Sequence, residues 1–190
     1  MTWLDCIFTY FQLGFTHVIP LGFDHILFIL TLFFLSSNVK TMLIQCSIFT
    51  LAHSFSLALA ASGLIIPNAN IVEPLIALSI LFTAIENIVH DKINPWRLVL
   101  IFGFGLIHGL GFAKALNEIG MPKNQFFTSL LSFNIGVEMG QITVILGAYF
   151  LISKWFSQKI WYKERIVYPI STIIACVALY WVIERILFPI

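Results

Sequence analysis

The sequence predicts an all-α protein: a polytopic transmembrane helical bundle with six spans plus a short N-terminal interfacial or re-entrant helix. The whole of 1–190 is expected to form a single integral membrane domain. Three observations predict this. Of the 190 residues, 59% are hydrophobic and only 10% charged, with a mean hydropathy of +0.97. A soluble domain carries about 25% charged residues, so this chain cannot cover a globular surface with polar groups and its solvent is lipid. Polar punctuation divides the apolar sequence into stretches of roughly 20 residues, the length that crosses a bilayer as a helix. The net charge is +1 with no basic face, which excludes a nucleic-acid partner.

The elements follow in order. Residues 2–20 hold Trp3, Phe8, Tyr10, Phe11 and Phe15 and are interrupted by Gly14 and Pro20. Aromatic side chains suit the water–lipid interface, so a short interfacial or re-entrant helix is expected, with a seventh span as the alternative. No Lys or Arg precedes Lys40, so the basic start of a cleavable signal peptide is not expected. The first span, about 21–37, closes at Ser36, Ser37, Asn38 and Lys40. The second, about 41–64, is joined to the third, about 71–90, through Pro67, Asn68, Ala69 and Asn70. His90, Asp91 and Lys92 through Pro95 lead to a fourth span at about 97–115 that begins with Arg97. Glu118 through Asn124 forms a loop before the fifth, about 125–153. Lys154 through Arg165 forms the last loop, ahead of a sixth span at about 165–188. Cys6, Cys46 and Cys176 are widely spaced, form no CxxC and read as small apolar residues.

Loop charge sets the orientation. The odd loops hold Lys40, Lys92, Arg97, Lys154, Lys159, Lys163 and Arg165, and the even loops only Lys114 and Lys123. The odd loops are therefore expected in the cytoplasm, with both termini extracytoplasmic.

This topology gives depths to the ionisable residues, which are costly in lipid and functional candidates for that reason. His17, Asp24 and His25 lie near the outer end of the first span and Glu73 begins the third from the same side. His53, His108, Asn134 and Glu138 fall near the middle or outer half of the second, fourth and fifth spans. Spacing of i, i+4 and i+7 puts Asn134, Glu138 and Gln141 on one helix face. Thr50, His53 and Ser54 make a polar stripe, and Ser79, Thr83, Glu86, Asn87 and His90 a ladder towards the cytoplasm. Gly103, Gly105, Gly109 and Gly111 around His108 allow close helix approach. Taken one at a time these residues have plain explanations. A lone His53 or His108 reads as a packing residue, Glu184 and Arg185 as snorkelling side chains, and His90 and Asp91 as wet loop. Three carboxylates and several imidazoles in one layer do not read as packing.

Imidazole and carboxylate without thiolate suit a divalent transition metal. A mixed nitrogen and oxygen site holds such an ion and also lets it leave, as transport requires. The same residues would serve a catalytic zinc with an activated water. Ser54 next to His53 does not make a nucleophile pair, because adjacent helix positions diverge by about 100°.

At these residues the chain resembles the HupE/UreJ family of small bacterial membrane proteins, in particular its second branch. The matching stretches are GFTHVIPLGFDHILFIL (14–30), FTLAHSFSLALA (49–60), VEPLIALSI (72–80), FGLIHGLGFA (104–113) and FNIGVEMGQ (133–141). The resemblance implies nickel or cobalt uptake, with His17, Asp24 and His25 as the ligands that first capture the metal. Relatives of this branch often carry an extracytoplasmic domain before the first motif. Only 13 residues precede it here, so that domain is expected to be absent.

The combined expectation is a secondary permease that moves a divalent transition-metal ion inward, Ni²⁺ or Co²⁺, without an ATP-binding motif. His17, Asp24, His25, His53, Glu73, His108 and Glu138 are the expected metal residues. Ser54, Ser79, Glu86, His90, Asn134 and Gln141 support them or line the path. The alternative is an intramembrane zinc-dependent hydrolase built on the same cluster. The lipid bilayer and the metal ion are the expected partners, and a homo-oligomer or a membrane partner stays open.

Overall fold

The computed structural model describes residues 2–36, 38–90, 95–120 and 122–188, the side chains at 113–115, 117–119 and 123 excepted. The loop residues Asp91 and Lys92, Ser37, and the side chains of Lys114, Glu118 and Lys123 therefore lie outside the described part. Among the described residues the chain is helical throughout, without strands: α1 (Trp3–Val18), α2 (Phe23–Leu35), α3 (Val39–Ala61), α4 (Ala69–Val89), α5 (Arg97–Ile119), α6 (Phe126–Phe156) and α7 (Lys163–Leu187). Single π-helical turns, Tyr149–Ser153 and Lys163–Val167, lie within α6 and begin α7.

Local chemistry starts these helices where the polar punctuation stands. Thr2 and Asp5 form a reciprocal capping box at the head of α1. The Asn38 side chain accepts from Thr41 N at the head of α3, and Asn68 from Asn70 N at the head of α4. α5 runs on to Ile119, so the loop expected from Glu118 begins at Gly120, whose φ of 78° is open to glycine without strain.

Helices α3, α4, α6 and α7 are each long and apolar enough to cross a bilayer. The expected first span differs. α2 has 13 residues, about 20 Å of helix, against a hydrocarbon core of about 30 Å. The N-terminal stretch forms the helix Trp3–Val18, with Gly14 inside it, and bends into α2 as a broken span or a re-entrant loop. α1 and α2 meet at a bend of 65° and are long and apolar enough to cross a bilayer only when taken together. Counted as one broken span they make a fifth. The apolar run of α5, Arg97–Phe112, is shorter than a full span over its described side chains. The expected count of six is therefore not reached by length and composition.

Glycines bring the helices together. A Cβ on Gly14 would strike the Phe133 carbonyl oxygen, and one on Gly136 the Phe11 carbonyl oxygen, so α1 and α6 touch backbone to backbone. The Gly14 that looked like an interruption is a contact point. Gly105 and Gly109 do the same for α5 against α3, where a Cβ would meet Phe49 O and His53 O. α2 is enclosed by the others, with His25, Phe28, Ile29, Thr31, Leu32, Phe33 and Phe34 all buried, the all-round burial of a central helix. The outer surface is apolar: Leu51, Phe55, Phe127, Leu131 and Leu151 are all exposed. A soluble monomer does not show this much apolar surface, and lipid is the environment that fits it.

Candidate metal centre

The break between α1 and α2 creates the site. Pro20 has no N–H to continue the helix. Gly22, the N-cap of α2, is buried so closely that a Cβ would strike the His17 carbonyl oxygen. The chain therefore turns within residues 19–22, bringing the last turn of α1, with His17, onto the first turn of α2, with Asp24 and His25. The His17 and His25 rings are 4.6 Å apart between centroids. His53 from α3 completes the group, 6.1 Å from His17 and 5.7 Å from His25. One ligand nitrogen from each of the three lies within 4.8 Å of the others.

Their hydrogen bonding is incomplete in a consistent way. The Asp24 carboxylate accepts from His25 N at 2.9 Å and lies 3.2 Å from His25 Nδ1. Nδ1–H donates to the carboxylate, which in the neutral ring leaves Nε2 with a lone pair. No hydrogen bond of good geometry reaches that Nε2, His17 Nε2 or either ring nitrogen of His53, all of them buried, although the Asn134 side chain stands within interacting reach of His53. Buried polar nitrogens are nearly always bonded, so these four have bonding capacity that another group could take up.

His108, on α5, extends the cluster. Its ring lies 5.1 Å from that of His25, and its Nε2 is 3.0 Å from Ser79 Oγ. The Ser79 hydroxyl donates its one proton to Ile76 O at 2.7 Å, so it can only accept from His108. In that arrangement His108 carries its proton on Nε2, and its Nδ1 is buried and unpartnered as well. Asp24 and Ser79 thus play the same part for two imidazoles: each holds one ring nitrogen and frees the other, the outer support that metal-binding histidines usually have.

Aromatic rings wall the cluster. His17 lies 3.9 Å from Phe112, which stacks on Phe133 at 5.1 Å. Phe28 and Phe49 lie 5.2 and 5.1 Å from His108.

The remaining expected residues are distributed around this centre. Asn134 adjoins His53, donates to Leu130 O and keeps a buried, unpartnered Oδ1. Gln141 accepts from Thr50 at 3.3 Å. Glu138 is half-buried on the same face of α6 and accepts from Ser47 Oγ at 2.8 Å. Ser54 donates to the Thr50 carbonyl. Glu73 pairs with Arg185 at 3.1 Å, so Arg185 has a partner inside the protein where snorkelling was expected. Glu184 accepts from Tyr180. His90 caps α4 and is exposed.

From His108 a buried polar file runs along α4: Ser79, then Thr83, bonded to Thr31 at 2.8 Å, then Asn87, which donates to Thr31 O and Ser171 Oγ. Thr31, Ser171, Gln45 and Arg97 were not singled out by sequence reasoning. Gln45 and Thr31 were each detectable as a lone polar residue in an apolar run. Arg97 was expected as a loop charge, yet it is buried and bonds Glu86 and Gln45. Its position at a helix start suits snorkelling equally well, so no sequence signal gave this away.

Together these features define a small polytopic membrane protein that gathers imidazoles around the break in a bent helix pair. The chain belongs to the HupE / UreJ protein family, whose model matches residues 1–185. No curated protein and no solved structure matches it.

Proposed function

We propose that the protein is a secondary permease for a divalent transition-metal ion, Ni²⁺ or Co²⁺, working inward across the bacterial inner membrane as one integral domain. The observation that carries this reading is the set of three histidines with mutually close, unpartnered nitrogens at a helix break. Transporters of several folds place their substrate at such breaks near the bilayer midplane. His17, His25 and His53 hold the ion, Asp24 orients His25 and offsets the charge, and His108 receives the ion next. Glu73 at the outer end of α4 and Glu138 on α6 draw the cation inward, with Asn134, Gln141 and Ser54 lining the walls. Ser79, Glu86 and His90 mark the way out. In this reading the bent pair is the first crossing and α5 the fourth of six, with both termini outside. Metal association in the HupE/UreJ family agrees with the donor set.

Uptake of Ni²⁺, Co²⁺, Zn²⁺ and Cu²⁺ into proteoliposomes tests it. Saturable uptake of Ni²⁺ or Co²⁺, lost in His25→Ala and His53→Ala proteins that still fold, is expected. No uptake under either direction of imposed gradient would sink it. A second reading has one observation in its favour: three imidazoles are also the donor set of a catalytic zinc that keeps a fourth position open. An intramembrane zinc hydrolase predicts stoichiometric, tightly retained zinc and cleavage of a lipid or membrane peptide in protein that transports nothing.

A further inference from the structure

Arg97 is the first residue of α5, beside Trp96, which is 70% exposed. A long basic side chain at a helix end normally reaches out to water. Arg97 does the reverse and is 1% exposed, one of the most deeply buried large side chains of the molecule. Its Nη1 lies 2.5 Å from Glu86 Oε2 and its Nε 3.1 Å from Gln45 Oε1. Glu86 comes from α4 and Gln45 from α3, so two helices present oxygen atoms to one cation carried by a third. Burying such a pair costs several kcal/mol per ion, and apolar residues of the same volume commonly do as well or better for stability. Packing alone therefore does not explain it.

Its place in the fold does. Ser79, Thr83 and Glu86 are spaced i, i+4 and i+7 and share one face of α4. Glu86 thus stands about 10 Å along the helix from the serine that supports His108, one residue before Asn87, the last member of the buried polar file. An ion leaving the histidines by that file meets a fixed positive charge. The guanidinium is also held incompletely: its Nη2 is buried without a partner, and so is Gln45 Nε2. A cation bound through only part of its donors is easier to displace than a fully bonded one.

We propose that Glu86 and Gln45 form a second cation station on the inner side of the histidine centre, and that Arg97 is its tethered occupant. The cargo displaces the guanidinium on the way out, and the guanidinium returns to close the station behind it. The oxygen donors bind a late first-row metal less tightly than imidazole does, which suits a release station. This inference rests on the transport reading above.

Metal stoichiometry separates the two. Equilibrium dialysis of detergent-purified protein against millimolar Ni²⁺ or Co²⁺ is expected to give one ion per chain for wild type, two for Arg97→Gln, and one for the Glu86→Gln/Arg97→Gln double variant. One ion in wild type and still one in a folded Arg97→Gln protein overturns the station and leaves the histidine centre standing. No ion in wild type removes the reading beneath it. Where Arg97→Gln does not fold, Arg97→Lys supplies the test, because a single ammonium cannot reproduce both guanidinium contacts. Losing one charge-assisted bond is expected to raise the maximal uptake rate about tenfold without changing the half-saturating concentration. An uptake rate equal to wild type in Arg97→Lys overturns the proposal.

Discussion

Helix α4 carries a glutamate towards each end, and each meets an arginine, but the surroundings of the two pairs differ. Glu73 and Arg185 lie at the end shared with the head of α4 and the tail of α7, with side chains 26% and 16% exposed. Glu86 and Arg97 lie at the other end, at 5% and 1%. The first pair keeps contact with its surroundings, so solvent and headgroups can take over if either partner is lost. The second has only the protein to rely on, and removing one partner leaves an uncompensated buried charge. Charge pairs that look alike in sequence thus carry different weight, and burial decides which.

The largest expected effect comes from breaking the buried pair. Arg97→Ala should lower stability by about 3–5 kcal/mol, read as unfolding in a detergent titration. The neutral double replacement, Glu86→Gln with Arg97→Gln, should recover most of that loss. If the single and double variants are equally unstable, the cost lies in packing and not in the stranded carboxylate.

Between the two pairs on the same helix stands Ser79. Ser79→Ala strands a buried nitrogen of His108, should weaken metal binding by about 10–100-fold, measured by titration, and should cost about 1–3 kcal/mol of stability. Restoration by Ser79→Thr, which keeps the hydroxyl, would separate a hydrogen-bonding role from a space-filling one.

The contrast between enclosed and open positions recurs within α5. Gly109→Ala would push a methyl group onto the His53 carbonyl oxygen and Ser56 Oγ and should cost about 1–3 kcal/mol. Because that carbonyl belongs to a histidine of the centre, metal binding should fall with it. Gly103 has nothing within 4 Å of its Cβ position, and Gly103→Ala should change stability by less than about 1 kcal/mol. Thermal unfolding of the two variants side by side checks both.

The smallest effect is expected at the open pair. Arg185→Ala should cost about 0–1 kcal/mol. A loss as large as that of Arg97→Ala would mean that α7 depends on this contact for its place in the bundle, and the comparison between the two ends of α4 would fail.

Much of this could be read from the residues. His17, Asp24 and His25 lie within nine positions of one another, and Pro20 and Gly22 between them announce a turn, so their meeting follows from local chemistry. The ladder from Ser79 to Asn87 follows from helical spacing alone. Counting residues from a span's end puts His53 and His108 in one layer with His25, and the structure brings their rings within 5.7 and 5.1 Å of that of His25. The same counting put Glu73 and Glu138 in that layer. It could not foresee that Glu73 would face Arg185, which is 112 residues away, or that Glu138 would accept from Ser47 on another helix. Gly14 reads as an interruption in the sequence for a related reason. Gly14 weakens a helix considered by itself, and only the backbone of α6 lying against it explains why a glycine stands there.

The sequence by itself determined the solvent, the helical class, the approximate ends of the long helices and the residue types available for chemistry. Composition and short-range periodicity fix these, and both are local properties of the chain. Only the tertiary structure decided which nitrogens converge, which carboxylate is paired and which arginine is buried. Those outcomes depend on how each helix is rotated about its own axis and which neighbour it packs against. Both are set by contacts between residues far apart in sequence, such as Gly14 with Phe133 and Gly109 with His53. In lipid the hydrophobic effect gives little preference among helix faces, so close backbone packing and the need to satisfy buried polar groups make the choice.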